Sequence, residues 1–207
     1  MIKILFFDIG YTLVDEGAVW KARCEEQATT EEAKKLNLSA DDICREVENA
    51  SRLRLPPFKT VVKKFNFSFV APYRHELETL YTSVPNVLTT LSKKYALGVI
   101  ANQSSGLKER LEEFDILKYF GYVISSSDVQ IQKPDVRIYE YAIKSVGCLP
   151  SEAVMIGDRL DNDIAPAKAV GMKTVWVKQG FGGLQTPLPE AAPDYIIDDI
   201  SEIVNIF

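Results

Sequence analysis

Ile2-Lys3-Ile4-Leu5-Phe6-Phe7-Asp8-Ile9-Gly10-Tyr11-Thr12 is the stretch whose reading decides the fold. Residues 2–7 are almost solidly apolar, too few for a helix, and rich in Ile and Phe. They read as a strand buried on both faces, with Asp8 at its end. Similar short runs recur at 97–101, 122–124, 154–156, 174–177 and 195–197. Helical spacing separates most of them. Leu107, Leu111 and Phe114 share one face of 107–114; Ile138, Tyr141, Ala142 and Val146 do the same in 136–146. Alternation of this kind predicts an α/β fold, a parallel sheet with helices on both faces.

Residues 15–82 interrupt the pattern. They hold no convincing strand and several helical stretches, divided by Pro56-Pro57 and Pro72. Ser39-Ala-Asp-Asp42 has the form of a capping box, with Ile43, Val47 and Ala50 following on one face. The expectation is a helical insert after the first strand of a Rossmann-like core formed by 1–14 and 83–207. Charge in the insert is uneven. Residues 15–48 carry ten acids against five bases, and 49–82 two acids against six bases. The second half therefore reads either as a solvated face or as a basic face turned towards an anionic substrate.

Composition excludes several classes. The chain has 207 residues, 46 % hydrophobic and 26 % charged, which is neither a disordered nor a disulfide-dense composition. A net charge of −5 argues against nucleic acid or an anionic membrane as the main partner. No run approaches the ~18 apolar residues of a membrane span. The apolar start stops at Asp8 without a cleavage site, unlike a signal peptide. Cys24, Cys44 and Cys148 are odd in number, scattered and without a CxxC, so they read as unpaired thiols in a reducing cytoplasm.

Ligands of open parallel sheets bind beyond the C-terminal strand ends. There the sequence places Asp8, then Asn102-Gln103-Ser104-Ser105, then Lys133-Pro134-Asp135 after a loop, then Gly157-Asp158 with Asp161 and Asp163 behind. Two strand-end carboxylates make a hard oxygen pair suited to Mg²⁺, with water and a substrate phosphate completing the shell. A nearby lysine can neutralise a transferring phosphoryl group. A carboxylate can itself be the nucleophile and form an aspartyl-phosphate.

With these elements in order, the chain resembles the haloacid dehalogenase-like (HAD) hydrolase superfamily, mostly phosphatases, over nearly its whole length. Phe-Phe-Asp8-Ile-Gly-Tyr-Thr12-Leu resembles the first motif, and Lys133-Pro-Asp-Val-Arg-Ile-Tyr the lysine motif. Ile156-Gly-Asp158-Arg-Leu-Asp-Asn-Asp163-Ile-Ala-Pro resembles the acidic motif. The resemblance implies an Mg²⁺-dependent hydrolase of a small phosphorylated metabolite, cytoplasmic, with 15–82 as its cap. Asp8 would be the nucleophile and a metal ligand, the Gly10 carbonyl a second ligand and Asp158 a third. Asp163, rather than Asp161, would ligate through water or hold the shell. Lys133 would pair with Asp8 and the phosphoryl group, and Thr12 would orient the first loop by hydrogen bonding.

Two positions depart from the pattern. Family phosphatases usually carry a second Asp, the general acid, where this chain has Gly10. The Ser or Thr that usually closes the second motif is replaced by Ala101. Asn102, Gln103 and Ser104, with Thr12, are then the residues expected to bind substrate. A missing acid, worth roughly 10²–10⁴-fold, would confine efficient turnover to good leaving groups. The alternative is a HAD-fold binding or regulatory protein with little or no activity. His75, the only histidine, reads as surface or cap packing, and Trp20 as core. Gly180, Gly182 and Gly183 read as a plain turn.

Overall fold

The computed structural model describes residues 1–103 and 105–207. Six strands form a parallel sheet: β1 (Ile4–Phe7), β4 (Ala96–Ala101), β5 (Tyr122–Ser125), β6 (Ala153–Gly157), β7 (Lys173–Val177) and β8 (Tyr195–Ile197). Their order is β5-β4-β1-β6-β7-β8. The chain builds outward from β1 in one direction, then crosses back over it to build the other half. The reversal lies between β1 and β6, and that crevice is where such sheets bind ligands.

Strand alternation sorts the core into two layers. Leu5, Phe7, Val99, Val154, Ile156 and Val175 face one side. There they pack against α5 (Val84–Leu91), α6 (Leu107–Glu113) and the C-terminal 3₁₀ turn Ile200–Asn205. Ile4, Phe6, Ile100, Ile124 and Met155 face the other, against α8 (Arg137–Val146) and α9 (Ala165–Ala169). Burial on both faces explains why these strands read as apolar runs and not as alternating patterns.

The insert folds as α1 (Gly17–Ala28), α2 (Glu31–Lys35), α3 (Ala40–Arg52) and α4 (Pro57–Lys64). Ser39 and Asp42 form a reciprocal capping box, and Ile43, Val47 and Ala50 are buried. The segment is not strand-free, contrary to its sequence reading. β2 (Val14–Asp15) pairs antiparallel with β3 (Thr79–Leu80), a two-residue ladder tying the entry of the insert to its exit. Two residues are too few to leave a period in the sequence.

The cysteine expectation also needs correcting. Cys24 on α1 and Cys44 on α3 are joined in a disulfide; Cys148 is free. Sequence spacing could not show this, because helix packing brings the two together. No base of 49–82 lines the cavity at the strand ends. Three of the six pair with the acidic half: Lys64 with Glu46 at 2.5 Å, Arg74 with Glu26 at 2.6 Å and Arg52 with Glu48 at 3.9 Å. No helix of the described residues is long and apolar enough to cross a membrane.

Candidate active site

β1 and β6 end side by side, and the ladder runs one residue further: the Asp8 amide donates to the Ile156 carbonyl at 2.9 Å. Asp158 follows β6, its carbonyl held by the Trp176 indole N–H at 2.6 Å. One turn of π-helix, Leu160–Ile164, then folds Asp163 back over the strand ends. The Arg159 amide donates to Asp163 Oδ2 at 3.0 Å and fixes its orientation. As a result, carboxylate oxygens of Asp8, Asp158 and Asp163 lie within 4.8 Å of one another. Asp161 points elsewhere, paired with Arg159 at 2.5 Å and accepting from Gln185 at 2.8 Å.

Lys133, on the connection into α8, reaches into this cluster. Its Nζ donates to Asp8 Oδ1 and Asp163 Oδ1, each at 2.6 Å. Burial works against its charge, but Asp163 and Asp8 outweigh it and raise the lysine above its ordinary range. Burial also drives the acids: the Asp163 carboxyl is pushed up to about 6 despite Lys133, and Asp158 well above the carboxylate range. One lysine thus faces three carboxylates, two of them buried and Asp8 partly so. Hard oxygen donors this close, in excess of their counter-charge, are the chemistry of a divalent cation site.

A cavity of ≈ 220 Å³ opens above the cluster. Asp8, Gly10, Lys133, Asp158 and Asp163 form its floor; Asn102, Gln103 and Asn162 stand at its side. The cap and the loop after β7 close it with Glu16, Trp20, Ser51 and Phe181. Ser51 Oγ donates to the Phe181 carbonyl at 2.9 Å, and Gln185 Nε2 to the Ser51 carbonyl at 3.1 Å, which locks cap to core.

The structure redistributes several expected roles. Thr12 is fully buried and outside the cavity, and its hydroxyl has no hydrogen-bond partner among the described residues. It therefore neither touches a substrate nor orients the loop by hydrogen bonding. Backbone bonds do that: the amides of Leu13 and Val14 donate to the Ile9 carbonyl at 2.9 and 3.0 Å. Asn102 lines the cavity, but its amide is occupied with the backbone of Lys133. Gln103 accepts from Arg110 at 2.5 Å and lines the same wall. Ser104 lies outside the described residues.

Other residues were not legible. Trp20, read as core, forms part of the cavity roof, its ring 5.2 Å from that of Phe181. Gly182 is more than a turn residue. A Cβ there would lie 2.4 Å from Asp158 Oδ2, so only glycine lets this loop close on the acid. Glu16 carried no motif signal, yet its carboxyl reaches the cavity beside Gly10. Trp20 Nε1 donates to Glu16 Oε2 at 2.9 Å, and burial pushes the carboxyl above its usual range.

Comparison with known proteins agrees with this geometry. The family model described as haloacid dehalogenase-like hydrolase matches residues 5–177. A glyceraldehyde 3-phosphate phosphatase of Methanothermobacter thermautotrophicus is 29% identical, covering 100% of both chains. A pyrophosphatase, PpaX, of Bacillus velezensis is 34% identical over 63% of this chain and 61% of its own. Among solved structures, a HAD phosphatase from Thermococcus onnurineus superposes with a TM-score of 0.70 at 26% identity, covering 99% of this chain and 97% of that one. The magnesium-bound HAD-hydrolase YfnB of Bacillus subtilis shares the fold, with a TM-score of 0.73 at 21% identity over 99% and 98% of the two chains. With strand-end acids, a bridging lysine and a helical cap in one molecule, and a family match over most of its length, the chain belongs to the haloacid dehalogenase-like hydrolases.

Proposed function

We propose that this hydrolase is an Mg²⁺-dependent phosphatase of a small phosphorylated metabolite, with Asp8 as nucleophile. The observation that carries the reading is the Lys133 bridge. Its ammonium holds Asp8 and Asp163 at 2.6 Å each, beside a third carboxylate. Lys133 fixes one oxygen of Asp8 and leaves the other to form the aspartyl-phosphate, while its charge faces the phosphoryl oxygens. Asp8, Asp158 and Asp163 would hold Mg²⁺, which when bound supplies charge neutralisation to the phosphoryl group. Water then cleaves the acyl phosphate and frees Asp8.

The rest of the cavity speaks to the leaving group. Beyond the cluster its polar side chains include the amides Asn102, Gln103 and Asn162, with Tyr11, Ser51, Glu16 and Arg159. Arg159 is already held by Asp161 at 2.5 Å. A second phosphate would meet no unpaired cation among the described residues, so a neutral, hydroxyl-bearing leaving group fits better. That favours triose-phosphate-like substrates, as in the name of the first relative, over pyrophosphate.

The test is phosphate release from an aryl phosphate, glyceraldehyde 3-phosphate and pyrophosphate, with Mg²⁺ and with chelator. Turnover of the first two that requires Mg²⁺ and disappears in Asp8→Asn is expected. Turnover persisting in Asp8→Asn, or none with any phosphate ester, would overturn the reading.

A further inference from the structure

Residue 10 has no side chain, yet the place its side chain would occupy is filled. A Cβ built on Gly10 falls 2.3 Å from Glu16 Oε1 and 2.8 Å from its carboxyl carbon. That oxygen distance is the span of two covalent bonds, the reach of an aspartate's carboxyl oxygen from its own Cβ. A carboxyl group therefore lies beside residue 10, supplied from the first turn of the cap and not from the first motif. Glu16 and Asp8 line the same cavity.

The position is built, not incidental. Trp20, one turn along α1, donates its indole N–H to Glu16 Oε2 at 2.9 Å and leaves Oε1 on the Gly10 side. The Tyr73 hydroxyl stands close by, donating to Glu78 at 2.9 Å, and Glu78 is itself anchored by Arg110 at 2.5 Å. Among the described residues no lysine or arginine pairs with Glu16, so its placement owes nothing to a salt bridge. The apolar rings of Trp20 and Phe181 roof the same space.

We propose that Glu16 is a catalytic residue, the acid that protonates the leaving oxygen in place of a carboxyl on residue 10. This rests on the phosphatase reading of the site. In the first half-reaction an Asp8 oxygen bonds to phosphorus and the bond from phosphorus to the leaving oxygen breaks. The electron pair goes to the leaving oxygen, which takes the proton of the Glu16 carboxyl. In the second, the Glu16 carboxylate accepts a proton from water as the water oxygen bonds to phosphorus and the bond to Asp8 breaks. Both side chains return to their starting state, and an alcohol and phosphate leave. Glycine at residue 10 leaves this space to the Glu16 carboxyl, which a larger residue could enter only by displacing the end of the Glu16 side chain.

The experiment compares kcat for a series of phosphate monoesters, from aryl to alkyl, in the wild type and in Glu16→Gln. Alkyl turnover should fall by about 10²–10⁴-fold, the span of a general acid, and aryl turnover by less than about tenfold. The dependence on leaving-group pKa should steepen accordingly. Gly10→Asp alone should not raise the alkyl rate, because two carboxyls compete for one space. Gly10→Asp combined with Glu16→Ala should recover alkyl turnover relative to Glu16→Ala alone, and this pair decides the matter if Glu16→Gln does not fold. An equal loss across the series, or no loss for alkyl esters, would overturn the assignment and leave the phosphatase reading standing. Absence of turnover in the wild type with every ester would remove both.

Discussion

The side-chain amide of Asn102 grips the backbone of Lys133 from both directions. Its Nδ2 donates to the Lys133 carbonyl at 2.8 Å, and its Oδ1 accepts from the Lys133 amide at 2.7 Å. The contact spans 31 positions of sequence and reproduces with a side chain what a neighbouring strand would do with its backbone. It sets where the lysine stem enters the cavity, and so where Nζ meets Asp8 and Asp163.

Asn102→Ala should therefore act on kcat and not on KM. Two part-buried backbone groups lose their partners, a cost of about 1–3 kcal/mol each, and the ammonium loses its aim. A displacement of ~1 Å in such a group costs about 10²-fold in rate. Steady-state kinetics would separate this from a substrate contact, which would raise KM instead.

Most of the fold was legible because β1, β4 and β6 are buried on both faces and each stops at a functional residue. Asp8, Asp158 and Asp163 lie at strand ends or shortly beyond and Lys133 on a loop leading from one, so position along the chain implied proximity in space. Asn102 lines the cavity as expected, but its grip on the Lys133 backbone was not legible, because composition shows an amide's donors and acceptors but not who consumes them. Glu16 and Gly182 were invisible for a different reason. Each matters through a close approach, to Gly10 and to Asp158, made only when the cap and the loop after β7 close. Thr12 fits the motif yet is buried with its hydroxyl unpaired, and no spacing rule could have shown that.

Lys133→Met should destabilise the protein as well as silence it. The Nζ is the counter-charge of two carboxylates, one of them fully enclosed. Removing one partner of a buried ion pair costs about 3–5 kcal/mol, which for a chain of this size lowers Tm by roughly 10 °C. Calorimetry of the Mg²⁺-free variant would measure it. A Tm within a degree or two of wild type would mean the acids take up protons in place of the lysine.

Stability should depend on pH with an unusual sign at this site. The Asp163 carboxyl is pushed up to about 6, mainly by burial, and Asp158 moves the same way. In the unfolded chain both return to about 3.9. The folded state thus binds these protons more tightly. Its advantage is full below pH ~4 and lost as pH rises through about 6. Mg²⁺ competes with the same protons. The rise in Tm caused by millimolar Mg²⁺ should therefore be larger at pH ~7.5 than at pH ~5, and Asp163→Asn should flatten the difference. Equal Mg²⁺ effects at the two pH values would contradict the linkage.

Gly182→Ala tests whether Asp158 is a ligand without touching Asp158. The added methyl would fall 2.4 Å from Asp158 Oδ2 and equally close to its carbonyl oxygen, far inside contact distance. The loop cannot simply lift away, because Phe181 beside it is bonded to Ser51 and set edge-to-face against Trp20. The Trp176 indole holds the Asp158 carbonyl at 2.6 Å, so the backbone resists moving as well. Rotating the carboxyl relieves only one of the two contacts, so the Asp158 backbone must shift with it, and the shift carries the carboxyl out of the three-acid cluster. Disturbing a ligand's support typically costs 10–100-fold in metal affinity, and a loss in that range is expected by calorimetric titration with Mg²⁺. Gly121→Ala is the control, since a Cβ at Gly121 meets nothing within 4 Å. Unchanged Mg²⁺ affinity in Gly182→Ala, with the fold intact, would mean that Asp158 does not bind the ion.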